Sequence, residues 1–201
     1  MKIANILATK FCRFCEHSIV KVNRDKWIKS DLIDLHETVA VYLTTSLEAN
    51  LGQIIIGRDS AIRGRLVTLP PGGKISLGDR CYVGENTQIW SEVGIKIGND
   101  VLIAHNCNIF DSSTHPINYN ERVDQYKKIL TVGHPNEEYM TYRRKEIVIH
   151  NNAWIACNVT LLAGVTIGEA AIVTAGSVVT KDIPPHEMWG GQPARFIKKI
   201  D

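Results

Sequence analysis

The sequence predicts an all-β solenoid of parallel coils, preceded by a helical segment and interrupted by one long loop excursion. Three observations carry that prediction: a six-residue period in the large aliphatics, small or β-branched residues at a matched place, and Gly or Asn beside them. From residue 149 the chain reads IHNNAW, IACNVT, LLAGVT, IGEAAI, VTAGSV. Ile149, Ile155, Leu161, Ile167, Val173 and Val179 keep the spacing of six without a slip. Ala153, Val159, Val165, Ala171 and Ser177 hold the fifth place of their units. Asn152, Asn158, Gly164 and Gly176 hold the fourth. Regular self-similarity marks stacked architectures. Six is not a helical period, and such units are too short for helical repeats; each fits a short strand and a turn. Gly and Asn supply turn conformations that β-branched residues resist. If the first residue of each unit points inward, stacked coils bury a continuous aliphatic column. Each buried aliphatic contributes roughly 1.5–3 kcal/mol.

The period returns upstream in other phases. One block runs Leu77, Val83, Ile89; after a two-residue shift another runs Ile97, Ile103, Ile109; Ile56 and Ile62 give a fainter start. Cys81 and Cys107 sit at fifth positions and read as core thiols. Before the repeats, Ile3, Leu7, Phe11 and Phe14 follow helical spacing, and Trp27, Ile28, Leu32 and Leu35 suggest a second apolar stripe. Residues 1–38 are therefore expected to be mostly helical and packed on the first coil. Phe11 and Phe14 could instead serve a neighbouring subunit or partner. Residues 39–201 are expected to form the solenoid domain, with a loop over residues 116–148.

Composition narrows the class. A chain of 201 residues suits one domain with a small appendage. With 44% hydrophobic and 22% charged residues it can bury a normal core. A formal net charge of +2 gives no reason to expect nucleic acid as a partner. Cys12 and Cys15 form a CxxC pair with no second pair beside it, so no metal is expected. The N-terminal apolar run is broken by Lys10 and is a poor signal peptide. No stretch approaches the ~20 apolar residues of a membrane span. A soluble, cytoplasmic protein is expected.

The period stops between Ile109 and Ile149. A break of this length inside a compact domain tends to carry function. It holds Tyr119, Tyr126, Tyr139 and Tyr142, with Arg122, Arg143 and Arg144. These suit a sugar or an anionic substrate, or are loop residues packed on the scaffold. His115 stands at the mouth of the break in Ser-Thr-His-Pro, and His134 lies in a second His-Pro pair. An imidazole suits the removal of an alcohol proton near neutral pH.

At this point the sequence resembles the hexapeptide-repeat acyltransferases, over about residues 54–200. The resemblance implies a left-handed parallel β-helix with three hexapeptides per coil. The segment Ile103-Ala-His-Asn-Cys-Asn-Ile-Phe-Asp-Ser-Ser-Thr-His115-Pro116 is similar to the motif that supplies the catalytic histidine in galactoside, maltose and polysaccharide O-acetyltransferases. It implies His115 as general base, with Asp111 orienting the imidazole, binding the acceptor, or merely capping the turn. His134 is the rival base, and His105 could line the same cleft. The ending TAGSVVTKDIPPHEMWGGQPARFIKKI resembles the family's coenzyme A region. It implicates Ala175, Gly176, Thr180, Lys181, Arg195 and Lys198 in holding acetyl-CoA, the cations lying near phosphates, and Cys157, where relatives often carry Ser, joins them as a candidate. Trp189 would stack on adenine or cap the solenoid. An acceptor-contacting Asn of the galactoside enzyme maps onto Gly84, leaving Asn86, Trp90 and Glu92 as acceptor-facing candidates. The family also implies a homotrimer with sites between subunits.

The function these residues suggest is acetyl transfer from acetyl-CoA to a sugar hydroxyl of a surface polysaccharide or glycan precursor. The alternatives are N-acetylation of a nucleotide-linked amino sugar, a zinc lyase of the γ-carbonic anhydrase type, and a binding solenoid without activity.

Overall fold

A computed structural model describes residues 25–27, 31–133 and 142–200. Each coil contributes three short strands. The first holds β1 (Ile33–Leu35), β2 (Ala40–Val41) and β3 (Ser46–Ala49); the second β4 (Gln53–Ile56), β5 (Ala61–Ile62) and β6 (Arg65–Thr68). The third holds β7 (Lys74–Leu77), β8 (Tyr82–Val83) and β9 (Gln88–Ser91); the fourth β10 (Ile95–Ile97), β11 (Leu102–Ile103) and β12 (Asn108–Phe110). After the excursion come β13 (Ile147–Ile149), β14 (Trp154–Ile155) and β15 (Thr160–Leu161), then β16 (Thr166–Ile167), β17 (Ile172–Val173) and β18 (Val178–Val179). Corresponding strands of successive coils stack in parallel, giving three sheets around one core. A final hairpin closes the stack: β19 (Glu187–Gly191) pairs parallel to β17, and β20 (Ala194–Lys199) returns antiparallel to β19.

The six aliphatics of the strict period, Ile149 through Val179, are each no more than 1% exposed. The fifth-place residues Ala153, Val159, Val165, Ala171 and Ser177 are buried as well. Cys81 and Cys107 are buried thiols, and burial pushes both of them up from the ordinary thiol range. The turn residues behave as their chemistry predicts: Asn152, Asn158, Gly164 and Gly176 have φ of 61°, 58°, 85° and 71°.

Register explains the phase shifts. Ile149 pairs with Ile167, three six-residue units further on. Leu77 pairs with Ile97, which is two residues more than three units. The surplus sits at the corner between the third sheet and the first, at Ser91–Gly94 in that coil. The excursion opens from this same corner one coil later, between β12 and β13.

Two expectations are corrected. The solenoid begins at Ile33, before the expected boundary at residues 38 and 39, and Leu35 belongs to a strand. Ile33 and Leu35 are buried around the exposed Asp34, so a period of two prevails over the apparent helical stripe. Residues 25–27 do form a helical turn, with Trp27 packed against the core. Ile3, Leu7, Phe11, Phe14, Ile28, the CxxC pair and His134 lie outside the described residues. The excursion, expected to be a loop, contains helix α1 (Tyr119–Val132). Asn118 caps it, its side chain accepting from the N–H groups of Asn120 and Glu121 at 2.9 and 3.4 Å. The apolar pattern of this helix is inverted: Tyr119, Val123, Tyr126 and Leu130 are exposed while Gln125 is buried.

Candidate active site

The two legs of the excursion meet at its foot. Ser112 and Arg144 form an antiparallel bridge, the Ser113 N–H donates to the Arg143 carbonyl at 2.9 Å, and the Lys145 N–H donates to the Asp111 carbonyl at 2.9 Å. Glu92 lies beneath this clasp, 6% exposed. Its Oε1 accepts from Ser112 Oγ at 2.7 Å, and its Oε2 accepts from Tyr142 Oη at 2.7 Å and Arg144 Nε at 2.8 Å. Arg144 also donates to Tyr142 Oη at 2.7 Å. Burial, then the bond to Glu92, raises the Tyr142 hydroxyl above its ordinary range. Burial pulls Arg144 down, but its bonds to Tyr142 and Glu92 outweigh that and leave it raised. Glu92 was expected to face an acceptor; both of its oxygens are instead committed to fastening the excursion.

Asp111 is similarly committed. Its carboxylate is fully buried and accepts from Ser91 Oγ at 2.6 Å and from the N–H groups of Glu92, Val93 and Gly94 at 2.8, 3.0 and 2.7 Å. Burial raises its pKa while these four donors oppose the rise. Of the three roles open to Asp111 in the sequence, its bonds are those of a cap on the widened corner of the third coil. Asn86 is likewise a corner residue, with φ of 59° and an exposed side chain.

His115 is exposed and sits above the clasp. Thr114, with φ of 58°, turns the chain into it, and the Thr114 N–H donates to Ser112 Oγ at 3.2 Å. The imidazole Nδ1 lies 2.7 Å from Gln125 Oε1, and Gln125 Nε2 donates to the Thr114 carbonyl at 3.2 Å. Gln125 was not foreseen. Ten residues and a helix cap separate it from His115, and no spacing in the sequence announces the pair. Trp90 projects from β9 near β12, its ring 5.3 Å from that of Phe110 and with the Arg65 guanidinium 5.4 Å away. Arg65 is held in place by both carboxylate oxygens of Glu48.

A groove of about 400 Å³ runs over the second sheet, lined by His105, Trp154, Ala156, Cys157, Ala175 and Met188 among others. It brings together Cys157 and Ala175 with His105. These three stack at one corner of successive coils: the Asn158 N–H donates to the His105 carbonyl at 3.1 Å, and the Gly176 N–H to the Cys157 carbonyl at 2.9 Å. The Gly176 carbonyl accepts from Gln192 Nε2 at 2.7 Å, so its backbone is engaged within the chain. A Cβ at Gly176 would meet nothing within 4 Å, so the space beside this residue is open. Thr180 and Lys181 follow β18, and Arg195 and Lys198 lie on β20; all four are exposed and none lines the groove within one chain. Trp189 packs against the core and pairs with Val173, which makes it the lid of the last coil. Among the described residues no group of three His, Cys, Asp or Glu could hold a metal ion, so the zinc-lyase alternative finds no ligand set there.

These features define a β-solenoid of six-residue units with a clasped excursion at one corner. Residues 146–181 match the family described as bacterial transferase hexapeptide (six repeats). The galactoside O-acetyltransferase of Escherichia coli (strain K12) is 35% identical over 132 residues, covering 65% of this chain and 56% of that protein. The chain thus spans about half the length of the curated relatives it matches, 56% of the first of them. The crystal structure of the polySia-specific acetyltransferase NeuO has a TM-score of 0.68 at 24% identity, covering 83% of this chain and 71% of that one. AntD, an N-acyltransferase from Bacillus cereus solved with dTDP and 3-hydroxybutyryl-CoA, has a TM-score of 0.70 at 18% identity, covering 89% and 88%. The fold shared with these structures is the left-handed parallel β-helix. No helix among the described residues is long and apolar enough to cross a membrane.

Proposed function

We propose that this chain is an acyltransferase that moves an acetyl group from acetyl-CoA to a sugar hydroxyl of a polysaccharide or glycan precursor, with His115 as general base. The observation that carries the reading is the state of His115. It is exposed where the repeat breaks and its Nδ1 is engaged by Gln125, so Nε2 is the nitrogen that would act on a substrate. In the reaction, the acceptor oxygen attacks the thioester carbonyl as Nε2 takes its proton, forming the C–O bond. Collapse of the tetrahedral intermediate breaks the C–S bond, and the proton passes to the departing coenzyme A sulfur.

The groove lined by Cys157 and Ala175 would take the pantetheine arm, its walls being mostly apolar. Thr180, Lys181, Arg195 and Lys198 would hold the phosphates of the same donor once subunits assemble as a homotrimer. Trp90, beside Phe110 and the Arg65–Glu48 pair, offers an aromatic face to a sugar. A second reading, acyl transfer to a sugar amine, is supported by the likeness to AntD over 89% of the chain.

The test pairs wild type with His115→Ala. Wild type should release free coenzyme A from acetyl-CoA with a sugar acceptor, and product mass should separate hydroxyl from amine acceptors. The variant should lose at least ~10²-fold in turnover while still binding coenzyme A. Equal turnover in the two proteins would sink the assignment of the base.

A further inference from the structure

We infer that Gln125 is the positioning residue that fixes the tautomer of His115, so that helix α1 is part of the acid–base machinery and not only a surface decoration. This rests on the reading of His115 as base, but the geometry supporting it is independent of any substrate.

The atoms able to donate decide the tautomer. The Thr114 carbonyl can only accept, and it lies 3.2 Å from one end of the Gln125 amide, so that end is the NH₂ group. The other end is then the oxygen, and it lies 2.7 Å from His115 Nδ1. An amide oxygen can only accept, so Nδ1 must carry the hydrogen. Neutral imidazole carries one such hydrogen, which leaves Nε2 with a free lone pair. The chain thereby uses a backbone carbonyl next to His115 to orient the amide that orients His115. Gln125 is 5% exposed, so water competes little for either bond.

The helix is held in place for this task by its cap at Asn118 and by Arg122, whose Nη1 donates to the carbonyls of Pro116 and Ile117 at 2.8 Å each. Two buried carboxylates at the foot of the excursion are already committed. Asp111 is bound by Ser91 and three N–H groups, and Glu92 by Ser112, Tyr142 and Arg144. Among the described residues, the group bonded to Nδ1 is a neutral amide and not a carboxylate. A neutral amide there directs the ring without placing a negative charge beside it.

The decisive experiment is ¹⁵N NMR of the imidazole nitrogens, run on the whole protein without substrate. In wild type, at a pH where His115 is neutral, Nδ1 should resonate as protonated and Nε2 as unprotonated. In Gln125→Leu the ring should move toward the Nε2–H form favoured by free imidazole, and turnover should fall about tenfold or more with the KM for acetyl-CoA unchanged. Gln125→Glu guards against a folding defect. It should bind coenzyme A normally and move the acid limb of the pH–rate profile to higher pH, because a carboxylate beside Nδ1 stabilises the imidazolium. A wild-type Nε2–H tautomer, or a tautomer unmoved by Gln125→Leu, would overturn the inference. Full activity in His115→Ala would remove the proposed base while leaving the tautomer result standing, so the two failures are distinguishable.

Discussion

The strict repeat over residues 149–179 and the excursion that follows β12 are built on opposite rules. In the repeat, every inward position does the same job, and a residue's place is set by its count within six. In the excursion, nearly every contact is made once. Glu92, Ser112, Tyr142 and Arg144 form one clasp; Asp111 caps one corner; Gln125 meets one histidine. The comparison teaches where specificity resides. A scaffold can be built from redundant apolar burial, but a directed lone pair needs a particular partner at a particular distance.

Substitutions should separate the two regions, and the largest effect belongs to the repeat. Leu161→Ala removes a fully buried side chain from the column and should cost about 2–5 kcal/mol. Denaturant unfolding should show it as a lower midpoint of the single cooperative transition. Arg144→Met attacks the clasp instead. It strips one partner from a buried carboxylate and should cost about 3 kcal/mol. The loss should be local: hydrogen exchange should quicken through residues 111–146, with the coil stack still protected. If the whole stack unfolded with it, the contrast between the regions would fail.

Smaller effects sharpen the same contrast. Asn158→Val places a β-branched residue at φ of 58° and should cost roughly 1–2 kcal/mol, while Asn158→Gly should be nearly neutral. Thermal midpoints would check both. The smallest effect lies on the outer ladder, where Arg58 meets Asp79 and Arg80 meets Asp100. The arginine hydrogen bonds hold both carboxyls below their ordinary range. Their stabilisation is present above the unfolded-state pKa and is lost as pH falls through the lowered folded values. Asp79→Asn with Asp100→Asn should therefore change stability only slightly at neutral pH, and not at all in strong acid.

What could be read from the chain follows the same division. The column from Ile149 to Val179 and the core thiols Cys81 and Cys107 were legible because a period repeats its own message. The corner turns at Asn152 and Asn158 were legible because left-handed backbone selects few residue types. The roles of Asp111 and Glu92 were not, since nothing in a carboxylate's identity says whether it meets a substrate or a backbone N–H. Gln125 was invisible because its partner is brought to it by a helix whose apolar residues face outward.

The widened corner has a kinetic meaning as well. On one rung of the outer ladder, the Asp79 N–H finds Asn99 Oδ1 20 residues on, while the Asn99 N–H must wait for Asn151 Oδ1, 52 residues on. Loop-closure entropy grows only with the logarithm of length, so the longer link costs about 0.8 kcal/mol more. The chain can therefore carry a long inserted segment between its fourth and fifth coils for a modest delay in zipping them together. That cheapness is what leaves one corner of a monotonous stack open to acquiring chemistry.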